Sequence, residues 1–66
     1  MSRAREGVGR LLTIEEVAER LTVTPSAIRR WRVEGYGPPS IKVGSRVRFS
    51  STAVEAWLVD QERYGA

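Results

Sequence analysis

Cysteine and histidine are both absent from this 66-residue chain. Without cysteine there is no disulfide framework, and without either residue a structural zinc finger has no ligand set. The lack of histidine also removes the usual base for a serine or threonine nucleophile, so the composition argues against an enzyme. No metal or cofactor is expected. No apolar run approaches the ~20 residues of a membrane span, and the start, MSRAREGVGR, lacks the apolar stretch of a secretory signal. The expected location is therefore the cytoplasm, with no membrane partner. Neither internal repeats nor low-complexity segments divide the sequence, and its length suits one small domain.

What the chain does have is a patterned charge. Its net charge of +3 is modest, yet residues 25–49 carry Arg29, Arg30, Arg32, Lys42, Arg46 and Arg48 against the single acid Glu34. The segments on either side are acidic: Glu15, Glu16 and Glu19 outnumber Arg20 in residues 13–24, and Glu55, Asp60 and Glu62 outnumber Arg63 in residues 50–66. A basic middle between acidic flanks points to one polyanion-binding surface rather than a uniformly cationic protein.

Residues 1–10 hold Arg3, Arg5 and Arg10 with two glycines and little to bury, which reads as a flexible basic arm. Thr13 and Glu16 have capping-box spacing, with Leu12 and Val17 placed as a hydrophobic staple. Ile14, Val17, Ala18 and Leu21 then fall on one face of a helix over about 14–21. After the break Thr22-Val23-Thr24, Pro25 suits the first position of a second helix capped by Thr24 and ending near Glu34, with Gly35 available for a left-handed terminus. Two helices joined by so short a turn form a helix-turn-helix. On the second, Ala27, Ile28 and Trp31 make the expected core face, while Ser26, Arg29, Arg30 and Val33 lie opposite and Arg32 falls at the boundary.

Tyr36-Gly37-Pro38-Pro39 reads as a stiff connector. Ile41, Val43, Val47 and Phe49 alternate with Lys42 and Arg48 around Gly44-Ser45-Arg46, predicting a hairpin with Val43 opposite Val47, Ile41 opposite Phe49, and Lys42 and Arg48 together on its outer face. Ser50, Ser51 and Thr52 are alternative caps for a third helix with Val54, Trp57 and Leu58 on its apolar side, ending near Gln61. The expected fold is mainly α with a small β-hairpin, a winged helix-turn-helix: helix-turn-helix, two-stranded wing and C-terminal helix. Residues 11–61 form the domain and residues 62–66 a frayed tail.

An α-helix fits the major groove of B-DNA, and a hairpin beside it reaches the adjacent minor groove. Arginine supplies ten of the eleven cations, and its planar fork matches guanine O6 and N7 or a phosphate. Arg29 and Arg30, with Ser26 and Val33 on the same face, are the major-groove candidates, Ser26 being suited to a phosphate. Ser45 and Arg46 at the wing tip are the minor-groove candidates, and Thr24, Lys42 and Arg48 the phosphate contacts. Glu15, Glu16 and Glu19 are accounted for by capping and surface placement, and Trp31 and Trp57 by the core.

LLTIEEVAERLTVTPSAIRRW followed by GPPSIKVGSRVRFSSTAVEAWL resembles the small excisionases of phages and integrative elements, the recombination directionality factors, and more broadly the winged-helix domain of the MerR superfamily. The resemblance spans residues 11–58. It implies a non-enzymatic protein of the bacterial cytoplasm and nucleoid whose second helix enters the major groove and whose wing, Gly44-Ser45-Arg46, meets the minor groove. It also implies several copies side by side on double-stranded DNA, bending it and steering a phage integrase towards excision. MerR-type regulators continue into a dimerising helix and an effector domain without counterpart here, so assembly on direct repeats is expected. The alternatives are a minimal one-domain transcription regulator and a protein-interaction module such as an antitoxin.

Overall fold

The bounds of the first two helices follow from their caps. The computed structural model describes residues 7–65 and runs from a short strand β1 (Leu11–Leu12) into α1 (Ile14–Leu21). At the entry to α1 the Thr13 Oγ1 accepts from the Glu16 amide at 3.1 Å and the Glu16 carboxylate accepts from the Thr13 amide at 2.8 Å. Both arms of the capping box are thus made, and Leu12 and Val17 are buried in one cluster.

The turn that follows uses a Schellman motif. The amide of Thr22 bonds to the Glu19 carbonyl at 3.2 Å and that of Val23 to the Ala18 carbonyl at 2.9 Å. Thr22 occupies the left-handed position at φ 60°, where a β-branched residue costs on the order of 1 kcal/mol or more. Val23 in turn packs against the core, so tertiary contacts hold the turn closed.

Pro25 opens α2 (Pro25–Glu34), whose Ala27 amide donates to the Thr24 hydroxyl at 3.1 Å. The helix ends on a left-handed Gly35 at φ 74°, with the Gly35 and Tyr36 amides both bonded to the Trp31 carbonyl, the latter at 2.9 Å. That geometry brings Tyr36 edge-on to Trp31, their centroids 5.1 Å apart. Trp57 completes an aromatic triad, 6.1 Å from Trp31 and 5.7 Å from Tyr36. Trp31 and Trp57 are half-buried rather than core residues, and they seal the edge of the domain. Gly37, at φ 94°, lies against the Trp31 ring, where a Cβ would sit 3.1 Å from Cε3. Every described peptide bond is trans, including those preceding Pro38 and Pro39.

The wing departs from the sequence expectation in its register. Strands β2 (Ile41–Val43) and β3 (Arg46–Ser50) pair Ile41 with Arg48, Lys42 with Val47 and Val43 with Arg46 around the two-residue turn Gly44-Ser45. Gly44 takes φ 64°, as the first central position of a tight hairpin turn requires. An even loop moves every β2 side chain to the opposite face from the one an odd loop gives. Lys42 therefore shares a face with Val47, not with Arg48, and Ile41 and Val43 lie beside Arg46 and Arg48, exposed. The wing is also joined by a third strand: β1 pairs antiparallel with β3, Leu11 opposite Ser50 and Leu12 opposite Phe49, giving the order β1-β3-β2.

Strand β3 passes directly into α3 (Ser51–Gly65). Among the three candidate caps, Ser50 acts, its hydroxyl accepting from the Ala53 amide at 3.1 Å and donating to the Val8 carbonyl at 2.6 Å. Ser51 exchanges two bonds with the Arg10 backbone, at 2.7 and 2.8 Å. Residues 8–10 are thus tied to the start of α3, while Arg3 and Arg5 of the expected arm lie outside the described residues. The helix continues to Gly65, past the expected end at Gln61. Across it, Arg20 of α1 makes two 2.7 Å bonds to the Glu55 carboxylate, which raises the Arg20 pKa.

Leu12, Val17, Ala18, Ile28, Phe49 and Val54 form the core, drawn from both strands of the β1–β3 pair and all three helices. The capping box makes the stability of this small domain sensitive to acid. The Glu16 carboxyl is held below its ordinary value of 4.5, first by the Thr13 amide; burial opposes this as the next-largest effect, and the Arg10 charge, the Thr13 hydroxyl and the Arg48 charge each add a lesser lowering. A depressed carboxyl pKa contributes stability that is present above the unfolded value and lost as pH falls through the folded one. Thermal melts should therefore weaken on acidification below about 4.5, and Glu16→Gln should flatten that part of the profile. An unchanged acid profile in the variant would remove Glu16 from this role. Thr13→Ala should lower stability by about 1 kcal/mol at neutral pH.

Candidate nucleic-acid interface

Helix α2 advances about 100° per residue, so Ser26, Arg29, Arg30 and Val33 fall within roughly one quadrant. All four are exposed, Val33 to 89%, whereas Ile28 on the other side is 1% exposed. The division follows from packing: α1 lies against α2 and Ile28 enters the shared core, whereas nothing among the described residues covers the other side. Thr24 caps the helix through its oxygen and keeps its hydroxyl hydrogen available to an acceptor.

The two reading candidates are not bare cations. Arg29 Nη2 donates to Glu15 Oε2 of α1 at 3.1 Å, and Arg30 Nε lies 3.8 Å from Glu34 Oε2 one turn along α2. All four side chains are more than half exposed, so these are solvated pairs that exchange with outside ligands. The Arg30–Glu34 pair has the i, i+4 spacing and is open to sequence reading. The Arg29–Glu15 pair depends on how α1 crosses α2, and sequence reasoning places Glu15 at the helix start alone.

On the wing, Ser45 and Arg46 are exposed at and beside the turn, and Lys42 is exposed on the face it shares with Val47. Arg48 is half-buried, with Nη1 donating to the carbonyl of Val47 at 2.7 Å, a bond that uses one of its five N–H groups. Arg32 Nε donates to Ser40 Oγ at 3.3 Å and so fastens the approach to β2 against the second half of α2. That bond links the wing to the helix and makes Arg32 a brace between them.

Two capped helices at a tight turn, a hairpin wing and a supporting third helix define a winged helix-turn-helix, a class of DNA-binding module. Residues 11–61 match the family described as the helix-turn-helix domain, and the chain belongs to that family. No curated protein and no solved structure matches it. Its activity is thus binding to double-stranded DNA, in a family of DNA-binding domains. Among the described residues, no helix is long and apolar enough to cross a membrane.

Proposed function

We propose that the chain is a recombination directionality factor, a DNA-bending excisionase that works beside a phage integrase. In this reading α2 lies in the major groove, with Arg29, Arg30 and Val33 on base edges and Ser26 on an adjoining phosphate. Ser45 and Arg46 enter the next minor groove, and Thr24, Lys42 and Arg48 meet phosphates. The observation that carries it is the pairing of one uncovered arginine-bearing face of α2 with an exposed cationic wing, in a sequence that resembles the excisionases over residues 11–58.

Smooth bending of a 20–30 base-pair site by tens of degrees costs on the order of 1–6 kcal/mol. A single winged helix-turn-helix has few contacts to set against that cost, and copies on adjacent sites share it. The arrangement suits direct repeats, each copy adding its own helix and wing.

A gel-shift titration on attachment-site DNA of the host element tests the reading. The expected result is a ladder of complexes that appears over a narrow protein range, with a bend reported by circularly permuted fragments. One unbent complex there, with tighter binding to a promoter fragment, would make the chain a one-domain transcription regulator. Weak binding to every duplex at physiological salt would favour a protein-interaction module.

A further inference from the structure

Glu15 is the residue whose position the helix start does not explain. It sits in the first turn of α1, but the capping box uses Thr13 and Glu16, and the Glu15 carboxylate instead crosses to Arg29 Nη2 at 3.1 Å. We infer that Glu15 is a specificity-determining positioning residue, which presents the Arg29 guanidinium to a guanine edge and discourages it from settling on a phosphate. The inference rests on the reading of Arg29 as a base contact.

The chemistry of the pair supports that division. The Glu15 bond is single, so it engages one of the five guanidinium N–H groups and leaves the others for two acceptors. As an exposed pair it does not lock Arg29, but it favours the rotamers whose tip lies beside a separate, capped helix. Guanine N7 and O6 are neutral acceptors, and a carboxylate beside the guanidinium does not repel them. A phosphate is an anion, and to take the same guanidinium it must either displace the carboxylate or approach it. Like charges at that spacing oppose each other, most strongly where the interface excludes water. The carboxylate thus weakens phosphate-only binding, the main source of affinity for random DNA, more than it weakens guanine binding. Among the described residues the partner of Arg30 is Glu34, which lies on α2 itself at 3.8 Å rather than on another helix.

The test uses a duplex enriched by the wild-type protein from a randomised pool and a scrambled duplex of the same base composition. Glu15→Gln keeps the side-chain length and removes the charge, and a thermal melt confirms that the variant folds. It should tighten binding to the scrambled duplex by roughly fivefold while changing the selected duplex by less than about twofold. In an Arg29→Ala background the same substitution should leave the selected-to-scrambled ratio unchanged. Glu19→Gln removes an equal charge from α1 where no bond to Arg29 or Arg30 is made, and should alter both duplexes by one common factor. Equal tightening of both duplexes by Glu15→Gln, or a ratio change that persists without Arg29, overturns the role of Glu15 alone. A pool that yields no enriched sequence overturns base reading by Arg29 and the Glu15 inference with it.

Discussion

Phe49→Ala is expected to remove a large share of the stability of the fold. Phe49 is 1% exposed and is the largest fully buried side chain, set in the central strand of the sheet opposite Leu12. Truncating a buried phenylalanine costs about 3–5 kcal/mol, from lost transfer energy and from the cavity that remains. A 66-residue domain has a total stability of only about 3–10 kcal/mol at roughly 0.05–0.15 kcal/mol per residue. Collapse around the cavity is limited, because β1 is paired with this strand and the first residue of α3, Ser51, is bonded through its amide to the Arg10 carbonyl. A circular dichroism melt should show a midpoint lowered by tens of degrees or no cooperative transition. Val33→Ala, at an 89% exposed position, should melt close to the parent. A Phe49→Ala midpoint within a few degrees of the parent would mean that the sheet is not packed on this core.

Removal of either reading arginine should damage recognition and spare the fold. Arg29→Ala or Arg30→Ala is expected to weaken binding to the selected duplex by about 1–3 kcal/mol, or roughly 5- to 150-fold, and to relax the preference for one base pair. Both side chains are more than half exposed and, among the described residues, paired to exposed carboxylates, so melting should change little. Lys42→Ala supplies the contrast. Without an ammonium there to meet a phosphate, selected and scrambled duplexes should bind more weakly alike and the salt slope should fall by about one unit. Arg48→Ala should act in the same sense, with some loss of wing stability because Nη1 also holds the Val47 carbonyl. Equal losses on both duplexes for Arg29→Ala and Arg30→Ala would place these residues on phosphates.

The parts of the fold legible in the sequence are those specified within a few residues. Thr13 with Glu16, Thr24 with Pro25, and Gly35 place the bounds of α1 and α2 correctly because a cap depends on three or four neighbours along the chain. The exposed quadrant of α2 is legible for the same reason, since helical periodicity sorts Ile28 from Arg29 and Arg30 without reference to any other element. The wing is not. The alternation of Ile41 and Val43 resembles a core-facing pattern, but β2 is an edge strand, and the turn at Gly44 closes on two residues. Strand β1 gives no periodic signal at two residues long, and its partner strand lies far along the chain, at Phe49 and Ser50.

What sequence alone determined, then, is the helix-turn-helix, its caps and the identity of the outward arginines, because backbone hydrogen bonding and the 3.6-residue repeat act locally. Only the tertiary structure decided which wing residues face outward together, that Leu11 and Leu12 complete the sheet, and that Glu15 meets Arg29. Those contacts join segments distant along the chain, and they are settled by strand register and by the crossing of α1 over α2, neither of which a local pattern records.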